Sequence, residues 1–148
     1  MMEPIFLASL EKALHWAKDR HYVGHNKHDG LNSPLLRRLS LNNKWLRIIA
    51  IQSVMRAPIN LRPLLMVHEA ENAKGLALFA RAWLNHYQLS NDKESAREAR
   101  LLLERLLAYP VDPTYPGRSW GYGFPWQDLG FYAPTALPNR IVTYFVGA

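Results

Sequence analysis

The chain has 148 residues, about half of them apolar and a fifth charged, which is the size and balance of one folded domain and excludes global disorder. There is no cysteine, so disulfide frameworks and thiolate metal sites are excluded, and a reducing, cytoplasmic setting is expected. The net charge of +6 is uneven: Met1 to His68 carries ten Lys or Arg against four Asp or Glu, and the remainder carries eight of each. A basic first half suits an acidic partner such as nucleic acid, an anionic polysaccharide or an acidic protein face, and equally a plain solvated rim.

MMEPIFLASLEKALHW has no basic region before its apolar residues and meets Glu11 and Lys12 too early for a signal peptide. No uncharged apolar run reaches the roughly 18–20 residues that span a bilayer, so no membrane insertion is expected. Phe6, Leu10, Ala13, Leu14 and Ala17 follow helical spacing and predict a first helix over 4–19. Gly24 and Gly30 then interrupt, leaving 21–32 as a polar loop. Ser33-Pro34 is a helix start, with a hydroxyl for the free N–H groups and a proline where its missing N–H costs nothing; it predicts a short helix over 34–40. Asn42 or Asn43 caps the next helix, over 44–56. Its Trp45, Leu46, Ile48, Ile49, Ile51, Val54 and Met55 are apolar on most sides and predict burial.

Pro58 and Pro63 break up 57–71. Leu76, Phe79, Ala80, Trp83, Leu84 and Tyr87 then give the clearest amphipathic stripe, predicting a helix over 73–89. Asn91, with Glu94 three positions on, reads as the cap of a following helix carrying Ala96, Ala99, Leu102, Leu103 and Leu106. So short a connection predicts an antiparallel hairpin of the two helices. Pro110, Pro113, Pro116 and Gly117 form a long connection into SWGYGFPWQD at 119–128. Ile141–Val146, IVTYFV, is β-branched and aromatic and predicts a short strand or extended segment. So apolar an end either packs back into the core or precedes a continuation.

The fold class expected from this order is all-α, four to five helices in hairpins, with one long aromatic loop and a short extended C-terminal segment. HDGLNSPLLRRLSLNNKWLR at 28–47, NAKGLALFARAWL at 72–84 and the segment Trp120–Val146 resemble the N-terminal part of a bacterial family of α/α-toroid proteins, akin to six-hairpin glycosidases and terpenoid-cyclase-like toroids, found with polysaccharide-biosynthesis genes. That family has a tryptophan-glycine-tyrosine motif leading through phenylalanine into tryptophan-glutamine. Here the matching residues are Trp120, Gly121, Tyr122, Phe124, Trp126 and Gln127. The resemblance implies a partial toroid, with less than half of the ring in this chain. Apolar helix faces that a complete ring would cover are then expected to be covered by a second copy, a homodimer through 44–56, 73–89 or IVTYFV.

Three uses of the aromatic loop stay open. Sugar C–H faces stack on rings while hydroxyls bond to neighbouring amides and carboxylates, so Trp120, Tyr122, Phe124, Trp126 and Gln127 are candidate saccharide ligands. The same rings would serve a protein interface. They would also seal the end of a helical bundle, with Trp120, Phe124 and Trp126 in its core. Gly121 and Gly123 are each expected to allow an unusual backbone turn. Asp29 and Asp128, with His28 as a base near neutral pH, are the candidate acid–base groups, because glycoside hydrolysis needs two carboxylates about 5–9.5 Å apart across the sugar. His21, His25 and His28 share one face only on a helix, which Gly24 and Gly30 oppose, so no metal site is expected. Arg37, Arg38, Lys44, Arg47, Arg56 and Arg62 would be the nucleic-acid surface of a helix-turn-helix, but the helix from Lys44 is too apolar to enter a groove, so nucleic acid is disfavoured. There is no Gly-rich phosphate loop and no G-x-S-x-G motif; no cofactor is expected.

Overall fold

A computed structural model describes residues 4–115 and 117–148; Met1–Glu3 and Pro116 of the proline connection lie outside the described residues. The chain is mainly helical. In order it forms α1 (Pro4–Asp19), β1 (Val23–Gly24), a 3-10 turn (Asp29–Asn32), α2 (Pro34–Leu39), α3 (Lys44–Arg56), β2 (Ala70–Glu71), α4 (Ala73–Ser90), α5 (Lys93–Ala108), β3 (Trp126–Gln127), β4 (Tyr132–Ala133) and α6 (Arg140–Gly147).

Helix starts follow the caps. The Ser33 hydroxyl accepts from the Leu36 N–H, the Asn43 side chain from Trp45 and Leu46, and the Asn72 side chain from Lys74. Between α4 and α5 the expected cap moves by one residue. Asn91 closes α4 in the left-handed region, at φ 55°, and Asp92 caps α5 by accepting from Glu94 and Ser95. The pair is an antiparallel hairpin. His86 near the end of α4 hydrogen-bonds Ser95 at the start of α5 at 2.8 Å, while the Tyr109 hydroxyl after α5 donates to the Glu71 carbonyl before α4 at 3.0 Å.

This hairpin holds the core: Leu76, Ala77, Ala80 and Trp83 of α4 pack with Ala99, Leu102 and Leu106 of α5, joined by Leu14 of α1 and Val142 of α6. The C-terminal half of α1 carries its buried residues, and Leu10, partly buried, packs on the core beside Leu14. Leu14 and Ala17 are buried, whereas Phe6 and Ala13 of the expected face are exposed. A polar ladder locks that half down. Lys18 bridges Glu94 and Glu98 at 2.9 and 2.8 Å, the Tyr22 hydroxyl donates to Glu98 at 3.0 Å, and the Trp83 indole N–H donates to Tyr22 at 2.9 Å.

Three expectations are corrected. IVTYFV is helical, not extended: Asn139 accepts from the Ile141 and Val142 N–H groups, and the resulting α6 puts Val142, fully buried, against the hairpin. This makes six α-helices among the described residues, one more than expected. The α3 helix is not buried: Ile51 and Val54 face inward, but Trp45 and Ile49 are 60% and 58% exposed. Its inner face packs on the 3-10 turn, on α2 and on β3, and none of the described residues covers the outer one. The 21–32 loop is not wholly polar surface, since its end winds into the 3-10 turn and buries Asp29, Gly30 and Leu31. Two small antiparallel pairs complete the fold, Val23–Gly24 with Ala70–Glu71 and Trp126–Gln127 with Tyr132–Ala133. No described helix is long and apolar enough to cross a membrane.

Candidate functional site: a cleft beside the aromatic loop

The aromatic segment is stitched to the fold before its rings are placed. The Trp120 N–H donates to the Thr143 hydroxyl at 3.0 Å, its carbonyl accepts from the Asn139 N–H at 3.0 Å, and its indole N–H donates to the Leu106 carbonyl at 3.0 Å. Trp120 therefore ties α5 to α6. The next residues run against the 134–138 turn, where the Tyr122 carbonyl accepts from the Ala136 N–H at 3.0 Å. Gly121 and Gly123 are needed here for close approach rather than for an unusual turn, and neither has positive φ. A Cβ on Gly121 would lie 2.1 Å from the Leu137 carbonyl oxygen, and one on Gly123 2.7 Å from that of Glu71.

The remaining rings form a chain. Tyr122 is 5.5 Å from Phe124 and 6.4 Å, edge-on, from Trp126, which meets Phe131 edge-on at 5.5 Å. Phe124 is buried; Tyr122 and Trp126 are half-buried. Beyond them the β3–β4 hairpin turns on Asp128, whose Oδ1 accepts from the Gly130 and Phe131 N–H groups at 2.6 and 2.8 Å. One oxygen of Asp128 thus holds a turn, the role most such aspartates have. Gln127 is buried; its side-chain amide donates to the Asp128 carbonyl at 2.9 Å, and its Oε1 is 3.5 Å from the Arg47 guanidinium, which lies 4.0 Å over the Tyr132 ring.

Two cavities open beside these residues. One, of about 220 Å³, is lined by His28, Ile48, Gln52, Trp126, Gln127 and Asp128. The other, of about 290 Å³, is lined by Asn26, His28, Tyr122, Phe124, Trp126 and Asn139. Because His28 and Trp126 border both, the two are neighbouring lobes of one cleft. Of the residues singled out in the sequence, His28, Tyr122, Phe124, Trp126, Gln127 and Asp128 converge on it. Trp120 is spent on the α5–α6 joint and lines neither lobe.

Asp29 also lines neither lobe. It is 2% exposed, with the Arg62 Nε at 3.1 Å from Oδ1, the His25 Nδ1 at 3.1 Å from Oδ2 and the Asn26 N–H donating to Oδ2 at 3.0 Å. Arg62 also donates to the Asn26 carbonyl at 3.0 Å. This buried ion pair fixes the loop that carries Asn26 and His28 to the cleft; it acts through them. His25 is bound to Asp29, and no group of three His, Asp or Glu side chains comes together for a metal among the described residues.

Other cleft residues carry no site signal in the sequence, among them Ile48, Gln52, Asn139 and Asn26. Ile48 and Gln52 are one helical turn apart on α3, a pairing that the spacing allowed but that a fully buried helix obscured. Asn139 was hidden by reading IVTYFV as extended, and Asn26 by the absence of any motif around it. The basic residues are also partly committed: Arg62 to Asp29, Arg47 to Tyr132, Gln127 and Asn42, and Lys44 to the Leu129 carbonyl.

No protein-family model matches the chain, and neither a curated protein nor a solved structure matches it.

Proposed function

We propose that the chain binds a saccharide in the two-lobed cleft beside the aromatic loop. The observation that carries this is the sharing of Trp126 and His28 by both lobes, so that one half-buried indole sits between walls that end in amides, Asn26, Gln52, Gln127 and Asn139. Rings for C–H faces and amides for hydroxyls are what a sugar requires. Each lobe alone, at about 220 and 290 Å³, is smaller than the roughly 300–1,000 Å³ of small-molecule sites, and the two together reach that range. Binding without hydrolysis is favoured, because Asp29 is paired with Arg62 and Asp128 holds a turn. The partial-toroid architecture belongs to the same proposal, supported by the antiparallel α4–α5 hairpin.

The test is tryptophan fluorescence with the oligosaccharides picked out by a broad glycan array. Binding is expected to be weakened about tenfold or more, ~1.4 kcal/mol, in Trp126→Ala, with the helical circular dichroism unchanged. A chain that picks out no glycan on the array sinks the proposal. The exposed outer face of α3 favours a second reading, homodimer formation through Trp45 and Ile49. Light scattering should then give twice the 17.1 kDa chain mass, reverting to one chain in Trp45→Glu, and a single-chain mass for the unmodified protein refutes it.

A further inference from the structure

A third cavity, of about 300 Å³, is walled by Trp16, Arg20, Tyr22, Phe79 and Phe124. It shares Asn26 and Phe124 with the Tyr122 lobe, which shares His28 and Trp126 with the Gln127 lobe. The order of sharing sets the three in a row from Trp16 to Asp128, with Phe124 and Trp126 as the dividers. Exposed or half-buried rings thus border all three, Trp16 the first and Tyr122 and Trp126 the others.

The charges along this row are not equivalent. Glu71 is paired with Arg105, His25 with Asp29, and one Asp128 oxygen with its own turn. Arg20, at the Trp16 end, differs. Its guanidinium lies 4.2 Å over the Trp16 ring and donates to the Trp16 carbonyl at 3.3 Å, and among the described residues no carboxylate pairs with it. Stacking orients the planar guanidinium while leaving other N–H groups for a carboxylate. Trp16 itself is 59% exposed, a ring held open at the end of the row.

We infer, on the basis of the saccharide reading above, that the row takes an oligosaccharide with one unit in each cavity, and that Arg20 on its Trp16 platform recognises a uronic acid carboxylate at that end. The excess of basic residues in the first half of the chain favours such an acidic ligand.

Calorimetry on the full chain tests this with two probe series, oligomers alternating glucuronic acid and N-acetylglucosamine, and neutral N-acetylglucosamine oligomers, each as disaccharide and tetrasaccharide. Affinity for the acidic series is expected to rise about tenfold or more from disaccharide to tetrasaccharide. Arg20→Gln should remove that gain and leave the neutral tetrasaccharide within about twofold. Trp16→Ala should weaken both tetrasaccharides and neither disaccharide. Both side chains are at the surface, so circular dichroism should be unchanged. Disaccharides that bind as well as tetrasaccharides, or an Arg20→Gln loss equal in both series, overturn the inference while the saccharide reading stands. Failure of every oligomer to bind overturns both.

Discussion

Replacing Gly121 by alanine tests whether the aromatic segment is held by backbone contact rather than by its rings. The added Cβ would sit 2.1 Å from the Leu137 carbonyl oxygen and 2.8 Å from the carbonyl carbon of Ala136, where ordinary contact begins at 3.4 Å. Neither partner is a side chain that can swing away. The segment is pinned on both sides, by the Asn139 N–H on the Trp120 carbonyl and the Ala136 N–H on the Tyr122 carbonyl, each at 3.0 Å. Overpacking costs about 1–3 kcal/mol, and the displacement sacrifices these two hydrogen bonds at about 1 kcal/mol each. The expected loss is therefore about 3–5 kcal/mol, a large part of the roughly 5–15 kcal/mol that holds a domain folded. Urea unfolding followed by far-ultraviolet circular dichroism measures it. Gly24→Ala is the control, because its Cβ would meet nothing within 4 Å, and a change within about 0.5 kcal/mol is expected. A Gly121→Ala loss below about 1 kcal/mol, or equal to that of Gly24→Ala, refutes the argument.

Two further outcomes concern buried polar groups. Arg62→Leu leaves the Asp29 carboxylate, 2% exposed, without its guanidinium, and should cost about 3–5 kcal/mol, whereas the double variant Asp29→Leu/Arg62→Leu should cost less than the single one; a double-mutant cycle with no such recovery contradicts it. Burial pushes the Tyr109 hydroxyl up to about 12 from an ordinary 10.0, with the Glu71 carboxylate adding to the rise. The folded chain thus keeps a proton that the unfolded chain releases. Its stabilisation is fully present below pH 10 and is lost as the pH rises towards 12, about 2–3 kcal/mol in all for so buried a group. Tyr109→Phe should cost about 1 kcal/mol at neutral pH, through the lost bond to the Glu71 carbonyl, and then lose less between pH 10 and 12; an unchanged alkaline slope in urea midpoints counts against it.

Most helix starts could be read from the sequence because their signal is local. Ser33 and Asn43 each serve N–H groups two or three residues on, whatever the rest of the chain does. The errors arise where a local preference met a distant partner. IVTYFV carries strand-forming side chains, yet the Asn139 cap and the burial of Val142 on the α4–α5 hairpin outweigh that preference. Asn91 and Asp92 are both cap formers, and the division between them follows backbone conformation: asparagine tolerates the left-handed φ of 55° that ends α4. For α3 the composition measures how apolar a helix is, not whether anything covers it.

At the cleft the same division holds residue by residue. Sealing and lining were alternatives for SWGYGFPWQD when it was a string of rings, and the fold distributes them along it. Trp120 and Gly121 bind the segment to α5, α6 and the 134–138 turn, Phe124 is its buried floor, and Tyr122 and Trp126 are left half-open above it. Asp29 could not be placed from sequence because Arg62, which decides its role, is 33 residues away. Its ion pair steadies the opposite wall, where Asn26 and His28 stand. Both walls of the cleft are therefore set by backbone hydrogen bonds and buried charge before any ligand arrives. On the saccharide proposal, a ligand entering it would not have to order the Trp120–Phe124 segment or the 25–29 loop, so contacts at Trp126 would be offset by little conformational entropy. That is why Gly121→Ala, which touches no ligand, is expected to weaken binding along with stability.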